Sequence, residues 1–402
     1  MKVNRENREW RSNRMYESLH YTQEELDLRD QARAFVEEEI APYMAEMDRE
    51  NKYPWKQFKR LGEMGYIGIR FPTEYGGGGK TIVAETLVNE QVGRASIAMA
   101  CARSVTSYVA HAINEYGTEE QKRKYLPKMF AGDWPAAECL TEAMGGSDAA
   151  RIKTTARKDP DGNYILTGEK RFQASGGVAP VLLVYALTDT TVNPREGMSG
   201  FIVEKGWEGL HTARQFDTLG YRGLEVVSEM VFRRVKVPKE NRLGKEGDGW
   251  PMIVSMLNGE RTIICGAFIG SAQRCMEIAA KYSSERIAFH KPIRKWEAVS
   301  FKLADMAVTL ESARLLNLQA GRMIDRGLDA TKEAAMAKLL ATEGAFEVIH
   351  NAMQIMGGIG YTTDYSIERH FRDARNGLFV AGSSEMMRLI IQRDTYKELL
   401  GP

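Results

Sequence analysis

The stretch from Gln354 to Arg393, QIMGGIGYTTDYSIERHFRDARNGLFVAGSSEMMRLIIQR, carries the clearest pattern in this chain. Glycine has no Cβ, so a backbone can approach another large group closely at Gly357, Gly358 and Gly360. The turn Ala381-Gly382-Ser383-Ser384 precedes a predicted helix, with Ser383 or Ser384 as its N-cap. Backbone N–H groups at such a helix start suit anions and carbonyl oxygens. The stretch therefore predicts a binding site near the C-terminus.

A second informative segment runs from Trp250 to Arg286 and has the periodicity of one long helix. Its apolar stripe contains Ile253, Met256, Leu257, Ile264, Ala267 and Phe268. Glu260 falls on this stripe. Burial of an unpaired carboxylate raises its pKa, and a general base toward a carbon acid benefits from that shift. The alternative is that Glu260 lies at the edge of the stripe and pairs with a neighbouring cation.

Composition narrows the class of protein. The chain is 43% hydrophobic and 27% charged, which is typical of a globular protein, and its 402 residues are enough for two or three domains or one large composite fold. The formal net charge is +1 and no basic block occurs, so we expect no nucleic-acid partner. The longest apolar run, around Gly176 to Leu187, is too short to span a bilayer, so we expect no membrane insertion.

The N-terminus, MKVNRENREWRSNRMYESLH, lacks the apolar segment of a secretion signal, and its acidic residues argue against a mitochondrial transit peptide. We therefore expect a cytoplasmic protein of bacterial or archaeal type rather than one of the mitochondrial matrix. No CxxC pairing occurs, so we expect reduced, mostly buried cysteines at Cys101, Cys139, Cys265 and Cys275. The six histidines show no metal-ligand spacing, and no metal is predicted.

The order of elements is helical, then β, then helical. Residues 22 to about 137 have helical patterns, which begin with a capping box at Thr22-Gln23-Glu24-Glu25. Between 138 and about 245, short β-rich runs alternate with turns: Asn163–Thr167, Val181–Leu187, Gly200–Val203 and Val226–Phe232. Long helices follow. We predict an α+β, mainly α, protein with domains at 1–137, 138–247 and 248–402. The glycine-rich loop Glu74–Thr81 lacks the first glycine of a phosphate loop.

Three further segments of the sequence carry informative patterns. They are Glu138–Asp148 (ECLTEAMGGSD), Gly168–Ser175 (GEKRFQAS) and Arg286–Ile293 (RIAFHKPI). With the C-terminal turn they resemble the acyl-CoA dehydrogenase family over nearly the whole chain. The resemblance implies an N-terminal helical domain, a small β-barrel or sandwich in the middle and a C-terminal four-helix bundle. It also implies FAD, an acyl-CoA substrate, an electron-transfer flavoprotein as acceptor, and a homotetramer or at least a dimer.

The resemblance places the catalytic base away from its usual position. Most of the family has Tyr-Glu-Gly-Thr-Ser-Glu in the turn, and the first Glu removes the α-proton; this chain has Ala381 there. Isovaleryl-CoA and long-chain acyl-CoA dehydrogenases carry the base on the central helix instead, in Leu-x-x-Glu-Arg. Here that motif is Leu257-Asn258-Gly259-Glu260-Arg261. We therefore predict that Glu260 takes the α-proton while hydride passes to flavin N5, and that the Ala381 N–H polarises the thioester carbonyl.

Residues expected at the flavin ring follow from the same resemblance. They are Leu140, Thr141, Phe172, Ala174 and Ser175, with Ser383 and Glu385 from the C-terminal turn. Phe172 replaces the usual Trp. Ala174 lacks the hydroxyl that usually bonds N5, so Ser175, a backbone group or substrate would have to replace it. Read without the resemblance, Glu138–Asp148 is a plain entry into a β-hairpin.

The far end of FAD is expected to be held across a subunit boundary. The resemblance assigns this role to Arg286, Phe289, Gln354 and Gly358. Glu297 and His290 replace the family's usual Gln and Gly, which puts those two contacts in doubt. Read alone, Arg286 is a solvated helix residue.

Substrate contacts are expected from Arg103, Ser147, Asn258, Arg261 and Gly382. Arg103 lies in a small apolar helical stretch that, in the family, lines the far end of the acyl pocket. It could pair with a substrate carboxylate, which would favour a succinyl- or glutaryl-type, branched or aryl-substituted acyl group. The alternative is a structural ion pair with Glu90 or Glu115. Arg261 could equally form a helix salt bridge.

Other functions remain open at this point. A short branched-chain acyl-CoA dehydrogenase is the nearest alternative. The altered neighbourhood of N5 is compatible with a flavin oxidase or monooxygenase on the same fold. A member that cleaves or reduces its substrate needs no α-proton removal. A binding protein without catalytic activity could keep the fold and bind no flavin.

Overall fold

The N-terminal part of the protein is helical in a computed structural model that describes residues 19–223 and 227–401. The capping box at Thr22 is present. The Glu25 N–H donates to the Thr22 hydroxyl over 3.2 Å, and the Thr22 N–H donates to the Glu25 carboxylate over 2.9 Å. The helices are α1 (Gln23–Phe35), α2 (Met44–Glu50), α3 (Trp55–Glu63), α4 (Ile82–Ala95), α5 (Ile97–Tyr116) and α6 (Glu119–Phe130).

The middle part is a β domain with one short helix, α7 (Pro194–Gly197). Its strands are β1 (Ala136–Cys139), β2 (Thr155–Lys158), β3 (Tyr164–Gln173), β4 (Val181–Leu187), β5 (Met198–Glu204), β6 (Leu210–Gln215), β7 (Ser228–Val237) and β8 (Arg242–Leu243). The sheet order is β6-β7-β3-β2-β4-β5-β8, with β1 parallel to β4. The four predicted runs overlap β3, β4, β5 and β7, but Asn163 and Val227 lie just before β3 and β7. Val226 lies outside the described residues.

The C-terminal part is helical again. It contains α8 (Gly249–Glu285), a small hairpin of β9 (Ile287–Ala288) and β10 (Lys291–Pro292), α9 (Glu297–Asp325), α10 (Thr331–Met356), α11 (Ile367–Ala374) and α12 (Ser384–Leu400). The predicted helix Trp250–Arg286 is therefore confirmed as α8. Together the three parts confirm the predicted α+β, mainly α architecture.

Helix α8 is the centre of the helical core, and it packs on α4, α5, α9 and α10. Glycines allow its contact with α4, because a Cβ at Gly93 would collide with the backbone of Ala267, and one at Gly270 with the backbone of Glu90. By length and composition α8 could cross a membrane, but 67% of its most apolar window is buried inside the protein. Its apolarity is that of a core helix.

The buried apolar residues of the described ranges form three clusters. The largest joins residues of the helices with one face of β1 and β4, the second lies within the β domain, and a small third one joins Ile82, Tyr108 and Ile263. All four cysteines are free and buried, as predicted. Within the described ranges no group of three His, Cys, Asp or Glu could hold a metal ion. Residues 1–18, on which the N-terminal prediction depends, lie outside those ranges.

Candidate active site

Lys338 of α10 fixes the backbone of the turn at 380–384 by hydrogen bonds. This fully buried ammonium donates to the carbonyl oxygens of Gly377 (2.8 Å) and Gly382 (2.7 Å). Ala381 has φ of 53°, in the left-handed region, and Gly382 has φ of 98°. Within the described part of the chain, the Ala381 N–H donates to no protein acceptor. It is therefore available to a ligand oxygen.

Ser383 is the N-cap of α12, since its hydroxyl accepts the Met386 N–H over 3.3 Å. The sequence left Ser383 and Ser384 as alternatives, and the structure selects the first. Ser384 begins the helix and is buried. Glu385 is exposed in the first turn, where the backbone N–H and the Ser383 hydroxyl lower the pKa of its carboxyl group.

Glu260 lies on α8 beside this turn. Its neighbour Arg261 donates from Nε to the Ala381 carbonyl oxygen over 3.4 Å, which links α8 to the residue that lacks a carboxylate. The Tyr108 hydroxyl of α5 donates to the Glu260 carbonyl oxygen over 3.1 Å. The side chain is half-buried. The candidate base and the candidate carbonyl-binding turn are thus brought together.

The electrostatics of Glu260 suit a base. Burial raises the pKa of its carboxyl group to about 7, and the nearby charges of Arg261 and Lys338 limit the rise. Glu260 forms no ion pair with any residue that the structure describes. The alternative of a direct pair with a neighbouring cation is therefore wrong; both cations act over a longer range. Arg261 itself bonds a backbone carbonyl rather than forming a helix salt bridge.

The loop after β1 is tied to β3. The Arg171 N–H donates to the Thr141 carbonyl oxygen over 2.8 Å. The buried Lys170 ammonium donates to the Leu140 carbonyl oxygen (3.0 Å) and to the Glu142 carboxylate (2.9 Å). These hydrogen bonds hold the backbone of Leu140 and Thr141 against β3. Ser147 is exposed farther along the loop.

The end of β3 presents an aromatic face. Phe172 has φ of 61° and is 58% exposed, with its ring centroid 4.8 Å from that of Phe216. A large flat ligand can pack on such a face. Ala174 is half-buried, and Ser175 is buried with its hydroxyl near that of the buried Tyr53.

Arg286 and Gly358 line one open cleft of about 440 Å³, together with Tyr282, Ile293 and Ile355. Gln354 is exposed just before this cleft. A Cβ at Gly358 would meet nothing within 4 Å, so space exists there for a group from outside the chain. Phe289 is 82% exposed at the tip of the β9–β10 hairpin, where Phe289 and His290 both have positive φ. Of the four predicted residues, Arg286 and Gly358 line this cleft, whereas Gln354 and Phe289 do not.

Arg103 corrects one expectation. Its guanidinium is fully buried and bonds Glu85 (3.0 Å), the Asn89 side chain (2.9 Å) and the Tyr66 carbonyl oxygen (2.9 Å). Glu85 also pairs with Arg70 over 2.8 Å. The role of Arg103 is therefore the structural ion pair, but its partner is Glu85 rather than Glu90 or Glu115. The sequence could not choose among these because several carboxylates lie within reach along α4 and α5.

Asn258 and Gly382 have structural contacts of their own. The Asn258 amide donates to the Thr331 hydroxyl over 3.1 Å, at the start of α10. A Cβ at Gly382 would lie 2.7 Å from the Met387 Cε. Sequence reasoning missed Lys338. It is a charged residue within an apolar run, the same signal that singled out Glu260.

The residues described above can be compared with the chemical groups of FAD. The exposed Phe172 ring, the unused Ala381 N–H and the Arg286 cleft are each suited to part of a flavin dinucleotide. Arg286 is exposed and can pair with a pyrophosphate. The residues present therefore fit the group.

Comparison with known proteins identifies the family of this chain. Family models described as the N-terminal, middle and C-terminal domains of acyl-CoA dehydrogenase match residues 22–133, 137–235 and 247–396. An acyl-CoA dehydrogenase of Bacillus subtilis is 39% identical over 376 residues, covering 93% of this chain and 98% of that protein. A short-chain specific acyl-CoA dehydrogenase of Clostridium acetobutylicum is 37% identical over 94% of this chain and 100% of its own length.

Among solved structures, butyryl-CoA dehydrogenase from Megasphaera elsdenii superposes with a TM-score of 0.90 at 34% identity, over 93% of this chain and 98% of that chain. The predicted fold, enzyme class and cofactor are confirmed together. From its matched domains, its relatives and its fold, this chain belongs to the acyl-CoA dehydrogenase family and is an FAD-dependent oxidoreductase.

Proposed function

We propose that this protein dehydrogenates a short acyl-CoA thioester at its α and β carbons, with Glu260 as the general base. The observation that carries the proposal is the contact between Arg261 and the Ala381 carbonyl oxygen, which sets Glu260 beside the turn that has lost its carboxylate. This is the arrangement expected of the family members that keep the base on the central helix.

Three groups of the protein have separate roles in the proposed reaction. Glu260 accepts the α-proton, and its raised pKa makes it a stronger base than a solvated carboxylate. The Ala381 N–H donates to the thioester oxygen, where negative charge develops. Lys338 holds that N–H in place through the carbonyl oxygens of Gly377 and Gly382. Bound FAD supplies the electron acceptor at N5.

Cofactor and CoA contacts follow the predicted assignments. Leu140, Thr141, Phe172, Ala174, Ser175, Ser383 and Glu385 would hold the ring, and Arg286, Phe289, Gln354 and Gly358 the distant end. Ser147, Asn258, Arg261 and Gly382 would lie along the thioester. The proposed domain limits are 1–137, 138–247 and 248–402, and the proposed location is the cytoplasm of a bacterium or archaeon.

The acyl group is proposed to be short and uncharged. Arg103, the candidate for a substrate carboxylate, is occupied by Glu85 and is fully buried. Tyr108, a bulky residue, reaches the Glu260 backbone from α5 and limits the space beside the base. The short-chain specific and butyryl-CoA relatives point the same way. A butyryl-, isobutyryl- and glutaryl-CoA panel tests this under anaerobic conditions; fast flavin bleaching by glutaryl-CoA alone would contradict it.

The active unit is proposed to be a homotetramer, and at least a dimer. Phe301, Val308 and Leu315 form an exposed apolar stripe along α9, and their spacing of seven places them on one face. The Arg286 cleft is open at the surface of the single chain.

An electron-transfer flavoprotein is the proposed acceptor of electrons from the reduced flavin. Rapid reoxidation of the reduced enzyme by air would point instead to an oxidase.

The test of the base is Glu260→Gln, which keeps the shape of the side chain and removes its ability to accept a proton. We expect the variant to retain FAD and to bind butyryl-CoA, while its rate of anaerobic flavin reduction falls by about 10²–10⁴-fold. Glu347→Gln, at an exposed glutamate of α10, is the matched control. An undiminished rate in Glu260→Gln would show that another group takes the proton.

A further inference from the structure

Side chains of three neighbouring helices donate hydrogen bonds to the backbone of α8 around Glu260. The donors and the carbonyl oxygens that accept them are the Tyr108 hydroxyl of α5 and Glu260 (3.1 Å), the Asn317 amide of α9 and Thr262 (3.1 Å), and the Asn89 amide of α4 and Ile263 (2.8 Å). All three donor side chains are buried. Within one turn of α8, directional bonds therefore join it to α4, α5 and α9.

These bonds add to the pairing that α8 already has. The helix is unbroken from Gly249 to Glu285, and each carbonyl oxygen inside an α-helix accepts the N–H group four residues along. A carbonyl oxygen has two lone pairs, so it can accept a second donor. The three side chains are thus not needed to complete the helix. They fix how the helix is turned relative to its neighbours.

The three acceptors lie on different sides of α8. An α-helix has about 3.6 residues per turn, so each residue is rotated by about 100° from the one before it. Relative to Glu260, Thr262 is rotated by about 200° and Ile263 by about 300°. Because hydrogen bonds weaken steeply when they are misaligned, a rotation of α8 in either direction would weaken at least one of the three bonds. Apolar packing has no such directional preference.

The Asn89 amide is held in one orientation by the buried ion pair of Arg103. Its side-chain oxygen accepts from Arg103 Nε over 2.9 Å, and Arg103 in turn bonds Glu85 over 3.0 Å. The Asn89 amino group donates to the Ser104 hydroxyl over 3.1 Å as well as to α8. With the amide oxygen on the side of Arg103, the amino group is the end that faces α8. The ion pair therefore selects the donor.

The place of the Glu260 carboxylate depends on this rotation. Helix Cα atoms lie about 2.3 Å from the axis, so a turn of about 20° would move the Glu260 Cα by about 0.8 Å and its carboxylate by more. A misplacement of about 1 Å can lower a rate about 10²-fold. The carboxylate has no ion pair with any residue in the described ranges that could hold it instead. The backbone of α8 is therefore what positions the base.

We propose that Tyr108, Asn317 and Asn89 are positioning residues for proton abstraction, because they fix the rotation of α8 at the base. They act through the helix backbone, and their hydrogen bonds take no part in the transfer of the proton. The inference rests on the proposed function, in which Glu260 accepts the α-proton. It adds that the rate of this step depends on three side chains whose bonds end on the backbone of α8.

Tyr108→Phe tests one of these bonds, because it removes the hydroxyl and keeps the ring beside the base. In the FAD-loaded protein the limiting rate of anaerobic flavin reduction by butyryl-CoA should fall about tenfold, whereas the apparent Kd for butyryl-CoA should stay within about twofold. Tyr125→Phe, at a buried tyrosine of α6 whose hydroxyl bonds Glu204, is the matched control. A wild-type rate in Tyr108→Phe, or a loss confined to affinity, would overturn the inference. An active Glu260→Gln would instead overturn the proposed function.

The pH profile separates positioning from a change in the acidity of the base. Tyr108→Phe leaves the cations near Glu260, Arg261 and Lys338, in place. The midpoint of the rate profile should therefore match that of the wild type while the plateau falls. A wild-type plateau with a shifted midpoint would mean that the hydroxyl sets the pKa of the Glu260 carboxyl group, and the inference would be wrong.

A further measurement does not depend on turnover. Amide hydrogen exchange of residues 260–268, followed by mass spectrometry, reports how firmly this part of α8 is held. Asn317→Leu, which is close to the original side chain in size, removes a second donor. Tyr108→Phe and Asn317→Leu should each increase exchange there by about threefold, and Tyr125→Phe should not. Wild-type exchange in both variants would contradict the inference even if the rate of flavin reduction fell, because α8 would then be held without these donors.

Discussion

Arg103 and Glu260 are charged residues on apolar helices, and their surroundings decide their roles. Arg103 is surrounded by acceptors, so its charge is compensated within the protein. Glu260 has no direct ion-pair partner within the described ranges and is half-buried, so its charge is costly and its pKa is raised. A compensated charge stabilises a fold, whereas an uncompensated one is available for proton transfer.

The rate of flavin reduction should depend on pH through Glu260. Burial raises the pKa of this carboxyl group to about 7, and only the ionised form accepts a proton. The rate should therefore be low at pH 5.5, increase about tenfold for each pH unit while the base is mostly protonated, and level off above neutral pH. Stopped-flow absorbance under anaerobic conditions measures it. A flat profile below pH 7 would mean that Glu260 titrates as a solvated glutamate.

Arg103→Met should damage stability more than specificity. The change leaves Glu85 buried with only Arg70 as a cationic partner, so the free energy of unfolding should fall by about 3 kcal/mol. Denaturant titration measures the loss, with the exposed Arg123→Met as the matched control. The KM for butyryl-CoA should stay within about twofold, since a 1.4 kcal/mol contact would already change it tenfold. A loss of binding restricted to glutaryl-CoA would restore the substrate role.

At the scale of elements, the functional turn depends on the helix that follows it. Ser383 caps α12, and Lys338 of α10 fixes the carbonyl oxygens on either side of Ala381. The left-handed conformation of Ala381 is kept by these contacts, because an alanine does not favour positive φ by itself. The turn can therefore lose its carboxylate and still present a fixed N–H.

Ser383→Ala should destabilise the start of α12. Loss of an N-cap typically costs about 1 kcal/mol, and Ser383→Asp should restore the stability because its carboxylate caps equally well. Thermal unfolding measures the global effect, and amide hydrogen exchange at Met386 measures the local one. If the alanine variant exchanges no faster than the wild type, Ser383 does not cap the helix in solution.

At the scale of the whole molecule, assembly and cofactor binding should be coupled. Phe301→Asp places a charge in the exposed stripe of α9 and should prevent that face from packing on a second copy. We expect a smaller species in analytical ultracentrifugation. We also expect FAD to be retained less well, since the Arg286 cleft would lack its partner surface. Lys281→Asp, at an exposed position on α8, is the control. An unchanged oligomer with full flavin content would exclude this face from the interface.

Periodicity and capping signals were sufficient for much of the fold. The order of helical and β segments, the long helix α8 and the capping box at Thr22 are local properties of the chain, and all were predicted correctly. The loss of a carboxylate at Ala381 and the presence of Glu260 are likewise visible in the sequence. Hydrophobic spacing and backbone chemistry act over a few residues, so the chain specifies them without its tertiary neighbours.

Only the tertiary structure decided which charges are paired. Glu85 and Arg103 are 18 residues apart, and Arg261 and Ala381 are 120 apart, so their contacts depend on how α4, α5, α8 and the last turn pack. A charge has the same identity in any sequence context, but its pKa and its partner depend on the dielectric and the neighbours that folding provides.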